Sequence, residues 1–190
     1  GRVVPILGGG RVTGKIGPFD VGAVNIQTDD EARSSAESTN FTVLRLKRDI
    51  LRRSSIGGIF TNRSVSTRGH GSSQTYGVDS TFAFYDNLSM LGYLARTETP
   101  GLIGKDSSYQ AKFDYAADRY GLQVDHLLVE DNFVPDVGFV RRDNFRRTFV
   151  EGRFSPRPQS IDRVRQFTLT GSTDYILVAD TNVLETRLNQ

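Results

Sequence analysis

The chain has no cysteine and no tryptophan, one methionine and two histidines among 190 residues. The absence of thiols removes structural disulfides and thiolate metal sites, and suits a protein that crosses an oxidising compartment such as the periplasm. No stretch approaches the roughly 18 consecutive apolar residues of a spanning helix, which excludes a helical inner-membrane protein. Charge of one sign is missing too: 24 Lys and Arg face 22 Asp and Glu, for a net charge of +2. The basic pI near 9.0 comes from dispersed arginines rather than a block, so a nucleic-acid partner gains no support. A leader is absent: the chain opens on Gly1-Arg2 and closes inside a patterned segment, Val183 to Gln190. It therefore reads as a single segment, 1–190, of a longer precursor.

What is present is alternation. Between Tyr109 and Tyr115, Tyr109, Ala111, Phe113 and Tyr115 fall on one face of a strand, with Gln110, Lys112 and Asp114 on the other. After Ala117-Asp118, Tyr120, Leu122, Val124, His126 and Leu128 oppose Gly121, Gln123, Asp125 and Leu127. This is a hairpin with one apolar wall, aromatic towards its ends, and one wet wall carrying full charges mid-strand. The pattern fits a transmembrane barrel better than a sandwich that buries its inner face. Tyr109, Phe113, Tyr115, Tyr120, Leu122 and Val124 are the expected lipid-facing residues. The same grammar sets Tyr76, Val78, Phe82 and Phe84 against Asp79 and Thr81, and Phe167, Leu169, Gly171, Tyr175 and Leu177 against Gln166, Thr168, Ser172 and Asp174. The strand from Phe41 to Arg48 is apolar on both sides at its start and basic on both near its end, leaving its orientation open.

The whole chain predicts an all-β, antiparallel up-and-down meander of about eleven strands, forming part of a transmembrane β-barrel. The strands are expected near 10–17, 21–29, 40–49, 54–62, 75–86, 88–99, 108–116, 119–129, 145–155, 164–178 and 182–190. Connections alternate between tight (18–20, 50–53, 87, 117–118) and long (30–39, 63–75, 100–107, 130–144). Short turns on one rim and long loops on the other is how outer-membrane barrels are built. The alternation weakens at 155–163, too long for a tight turn, and at 179–181, short for a loop. Eleven is odd, whereas single-chain bacterial barrels use even strand numbers, a second sign of an incomplete barrel.

The segments GGGRVTGKIGPFDVGAVNIQT (8–28), TNFTVLRLKRDILRRSSIGGIFTNRS (39–64), YGVDSTFAFYDNLSMLGYLARTETP (76–100), DRYGLQVDHLLVEDNFVPDVGFVRRDNFRR (118–147) and RFSPRP (153–158) carry a resemblance. Together they resemble a bacterial family of uncharacterised proteins. In it a family-9-like carbohydrate-binding module precedes a C-terminal, outer-membrane β-barrel-like domain of unknown function. The resemblance implies a bacterial outer-membrane location and a carbohydrate role by neighbourhood. It transfers no catalytic residues, and the sugar-binding module itself lies outside these 190 residues.

Each other motif has a plain alternative. Gly8-Gly9-Gly10 with Gly14 and Gly17 superficially suggests a phosphate loop, but no Lys-Ser/Thr pair follows and no helix is predicted to supply a dipole. His70 sits in a polar loop and His126 on an apolar strand face, with no acidic partner at ligand spacing, so no metal site and no cofactor are expected. His126 is assigned to the aromatic girdle. Asp29, Asp30 and Glu31 form one acidic cluster and Glu130, Asp131 and Asp136 another. Glycoside hydrolysis needs two carboxylates facing one cleft, but solvated loop faces explain these clusters better, and no catalytic residue is assigned. The matches Asn40-Phe-Thr, Asn62-Arg-Ser and Asn87-Leu-Ser to the glycosylation sequon are fortuitous in a bacterial strand context.

The segment Asp131 to Arg147 is the best functional candidate. Phe133, Val134, Val137, Phe139 and Val140 make it too apolar for a solvated loop, and Arg141, Arg142, Arg146 and Arg147 follow within seven positions. Guanidinium forks suit phosphate, sulfate and carboxylate, so these arginines could hold lipopolysaccharide phosphates or an acidic glycan at the rim. The favoured alternative folds the loop inward, its arginines pairing with wall carboxylates such as Asp125, Asp143 and Glu151. Three functions are open. One is a barrel wall, in contact with outer-membrane lipid, that serves as anchor, pore or export route for a surface carbohydrate-binding protein. The others are a soluble β-rich carbohydrate-active hydrolase and a soluble β-sandwich interaction module.

Overall fold

The computed structural model describes residues 3–31, 36–158 and 165–190. Eleven strands follow one another: β1 (Ile6–Ile16), β2 (Phe19–Thr28), β3 (Asn40–Ile50), β4 (Ser54–Arg63), β5 (Ser73–Phe84), β6 (Leu88–Glu98), β7 (Ser107–Ala116), β8 (Tyr120–Val129), β9 (Phe145–Phe154), β10 (Leu169–Val178) and β11 (Leu184–Asn189). They form one antiparallel sheet whose spatial order is the chain order. The meander expected from alternation and turn spacing is what forms.

Turn chemistry explains the tight rim. Gly17 takes φ +58°, a left-handed conformation that costs glycine nothing, and Pro18 fixes the next residue for the return into β2. The turns at 51–53, 85–87 and 117–119 are one residue longer. On the opposite rim the connections span 29–39, 64–72, 99–106 and 130–144, and only 179–183 is brief. The segment from 155 to 168 breaks the parity further than expected. Strand β10 starts at Leu169 rather than near 164, so Phe167 precedes the strand; position 164 lies outside the described residues.

Register sorts side chains cleanly onto two faces. Tyr109 pairs with Leu128, Ala111 with His126, Phe113 with Val124 and Tyr115 with Leu122, placing the expected apolar row on one face across two strands. The row continues leftward through Leu94, Met90 and Leu88 on β6 and rightward through Val150 and Phe154 on β9. Tyr76, Val78, Phe82 and Phe84 belong to it, and so do Leu169, Gly171, Tyr175 and Leu177. The ambiguous β3 resolves: Leu44 and Leu46 join the apolar face through Ala23 and Val21, and Arg45 and Lys47 point to the other side.

The sheet is a single layer. Among the described strands each packs only against its neighbours in chain order, and β1 and β11 stand at opposite edges without meeting. The sequence leads one to expect an incomplete piece in which the first and last strands stay apart, and the meander is an open antiparallel sheet not closed into a barrel. The hydrophobic side chains that are buried, among the described residues, are Val129 and Phe133, both at the long-loop rim. Burial there comes mainly from small polar residues, Thr61, Ser73, Thr75, Thr97, Thr99 and Ser108. Among the described residues neither face of the sheet is covered by a second layer.

Candidate functional site

The two faces differ in chemistry from the backbone outward. On the polar face, Arg45 of β3 reaches across β4 to Asp79 of β5, its second amino group donating at 2.9 Å to the carboxylate in a two-pronged pair. Gly57 makes the crossing possible: a Cβ there would lie 2.6 Å from an Arg45 terminal nitrogen. Arg147 of β9 pairs with Asp174 of β10 through two prongs, Nε at 2.9 Å and a terminal amine at 2.7 Å. Gln110 donates to Asp125 at 2.8 Å between β7 and β8. Fork-to-carboxylate geometry of this kind adds direction as well as attraction. The charges sit in mid-strand yet keep about a third of their side-chain surface in contact with solvent at Arg45 and Asp79. This face is wet.

The apolar face carries an ordered gradient. Near the short turns it presents Phe19, Phe82, Phe84, Tyr115, Tyr120 and Phe154, with the Tyr120 and Phe154 rings stacked at 5.4 Å. Towards the long loops it turns polar. Asn25 donates to Asn40 and Thr42, both at 2.8 Å, and Gln27 donates to Ser38 at 2.9 Å. His126 lies in this upper part, half-buried, its Nδ1 2.8 Å from the Thr148 hydroxyl and its ring 5.8 Å from that of Tyr109. Among the described residues no group of three or more potential ligands converges on a metal-sized site.

Loop 130–144 folds over the polar-face end of the sheet. Asn132 donates to the Gly104 carbonyl at 2.8 Å, the Val134 amide donates to the Thr97 hydroxyl at 3.1 Å, and Phe133 is buried behind them. Asp136 then bridges to the neighbouring loop, accepting from the Thr67 hydroxyl at 2.7 Å and the Thr67 amide at 3.2 Å. Burial pushes the Asp136 carboxyl up, but hydrogen bonds from Ser73 and Thr67 and the attraction of Arg63 outweigh it and hold it below its ordinary 3.8. The second half of the loop swings outward, with Phe139 87% exposed.

The four candidate arginines are not brought together. Arg147 is on the polar face with Asp174; its wall partner is this β10 carboxylate rather than Asp125, Asp143 or Glu151. Arg146 lies on the opposite face and donates to Asn182. Arg142, exposed in the loop, pairs with Glu185 of β11, which keeps the guanidinium firmly protonated. Arg141 is exposed. The acidic clusters act as loop fasteners: Asp30 accepts from the Ser38 amide at 2.6 Å, and Glu130 accepts from the Ser107 amide at 2.9 Å. The Gly8-Gly9-Gly10 run lies inside β1, paired with Gln27, Ile26 and Asn25.

Sequence reasoning missed the Arg45–Asp79 pair. Arg45 and Asp79 are 34 positions apart, and only the registers of β3, β4 and β5 bring them to one level. Gly57 was the available signal, since a glycine inside a strand marks a close approach. Comparisons with known proteins find no matching family model, no matching curated protein and no matching solved structure.

Proposed function

We propose that this chain is part of the wall of a transmembrane β-barrel in a bacterial outer membrane, serving as anchor, pore or export route for a surface carbohydrate-binding protein. One observation carries the reading: a single-layer meander leaves a continuous apolar face uncovered while its opposite face is lined with hydrated ion pairs. In water, an apolar surface of this extent is unfavourable by about 25 cal/mol for every Å² exposed. Against lipid tails it is already satisfied, and the charged side chains then face an aqueous interior.

Strand length supports the same reading. Strands β1 to β10 have 10 to 12 residues, and a tilted strand crosses a bilayer in about 9 to 11. The two unpaired edges would have to be matched by further strands, because unpaired backbone groups are not tolerated in hydrocarbon. The carbohydrate element rests on the sequence resemblance alone.

The test is fractionation of the whole polypeptide expressed in bacteria. We expect it in the outer-membrane fraction, resistant to carbonate washing and released by detergent. A monodisperse monomer recovered from a detergent-free lysate would overturn the membrane reading, and a soluble hydrolase or interaction module would then take its place.

A further inference from the structure

The apolar face is not smooth. A groove of about 700 Å³ runs across it from Phe19 at the start of β2 to Ala111 on β7, with Arg48 of β3 beside Phe19. From β5 to β7 its floor is made of small residues in direct cross-strand register, Ser80, Gly92 and Ala111, and Ile56 of β4 stands in the same row between Ser80 and Arg48. Val78, Leu94 and Tyr109 form the wall on the long-loop side. At the β3 end it reaches Arg48, two residues from the short turn, and at the β7 end it reaches mid-strand at Ala111.

Arg48 is out of keeping with its surroundings. It is exposed on the apolar face, and its partner among the described residues is the Phe19 ring, 5.3 Å from the guanidinium carbon. The nearest acidic side chain in sequence, Asp49, is on the opposite face beside Lys47. The turn just beyond carries two more cations, Arg52 and Arg53, of which Arg53 is matched to Asp86 at 3.5 Å. An apolar trough that ends in a guanidinium without an ion pair among the described residues complements an amphiphile with an acyl chain and an anionic head.

We propose that this groove binds one phospholipid, its acyl chain lying over Ser80, Gly92 and Ala111 and its phosphate held by Arg48 at the short-turn rim. The inference rests on the membrane reading above. The dimensions agree: four strand spacings of about 4.8 Å give a trough about 19 Å long, and half of a hydrocarbon core about 30 Å thick is about 15 Å. In a barrel the strands tilt by about 40°, so a row along the hydrogen-bond direction rises through the leaflet instead of lying flat in it. The guanidinium fork suits a phosphate diester, and the rim position lets it meet the headgroup without entering the tails.

Native mass spectrometry of the detergent-extracted full polypeptide, titrated with palmitoyl-oleoyl phosphatidylglycerol, tests this. The wild-type protein should retain one lipid. Arg48→Gln should weaken retention about tenfold, the loss of one charge-assisted contact. Ala111→Leu or Gly92→Leu should abolish it by filling the floor, and Arg96→Gln on the opposite rim should leave it unchanged. Retention by Arg48→Gln and the floor variants at the wild-type level, in protein that still partitions into membranes, would overturn the lipid site and leave the membrane reading standing. Full competition by inorganic phosphate would also overturn it, since the acyl chain would then contribute nothing. A protein that needs no membrane at all would instead fail at the fractionation step.

Discussion

The two faces of this sheet are written by the same strands, one residue out of phase, and they tolerate opposite things. On β7, Phe113 and Lys112 are neighbours in sequence; one stands in an apolar field and the other in a row with Asp125 and Gln110. The polar face locks its charges in pairs with defined directions, as in Arg45 with Asp79 and Arg147 with Asp174. The apolar face has almost no such directionality in its middle and relies on what lies against it. Identity on the polar face is therefore set by partners, and on the apolar face by the surrounding medium.

The largest expected effect breaks that contrast directly. Phe113→Arg or Val124→Arg should cost roughly 2 to 4 kcal/mol for folding into lipid vesicles, whereas Lys112→Glu and Gln123→Glu should be tolerated. Urea titration of vesicle-inserted protein measures both sets. Equal damage from both would mean that the two faces share one kind of environment.

A glycine pair one step apart sharpens the comparison. Gly57→Ala pushes against Arg45 and should loosen its fork on Asp79, at about 1 kcal/mol for a partly solvated pair. Gly58→Ala, on the apolar face, meets only the Gly77 carbonyl at 3.7 Å and should change stability negligibly. The difference between the two midpoints is the quantity to compare.

Asp136 gives the long-loop rim a pH dependence of known sign. Its folded carboxyl titrates below the ordinary 3.8, so the stabilisation it gives is complete above that value and is lost as pH falls through the lower native value. The Thr67 amide resonance, followed by NMR through an acid titration in micelles, should move with it, and Asp136→Asn should abolish the movement.

The smallest effect is expected at the outer end of the same loop. Replacing Arg141 and Arg142 with glutamine should cost less than about 1 kcal/mol, because the Arg142–Glu185 pair is exposed and screened. The inward-folded alternative would have left strand carboxylates unpaired, but the arginine that holds a strand carboxylate is Arg147, on Asp174. Thermal denaturation alongside a salt-dependent binding assay with an anionic glycan separates the two consequences.

Most of the architecture was legible because period-two alternation and turn residues are local signals. The strands around Tyr109 to Leu128 are placed to within a residue or two, and the tight turn at Gly17-Pro18 is announced by its composition. Strand β1 starts earlier than expected because its glycines pair with β2 instead of forming a turn, and β10 starts later because Gln166 to Thr168 find no strand partner. The distribution of the four arginines could not be read, since two adjacent residues on a strand point to opposite faces and two others belong to a loop whose course depends on contacts with Thr97 and Thr67. The groove was equally hidden: Ser80, Gly92 and Ala111 are unremarkable in sequence and become a floor only through register.

Because each strand pairs only with the one before and after it, the backbone ladders of the sheet join only strands that are neighbours in the chain. Such a sheet has low contact order and can grow hairpin by hairpin, with each loop closed at small entropic cost. The two edges are different. Among the described residues β1 and β11 each have one strand partner, so their outer backbone ladders are open to pairing with another strand. The topology thus concentrates the hazard of unwanted strand pairing at two short stretches, Ile6–Ile16 and Leu184–Asn189.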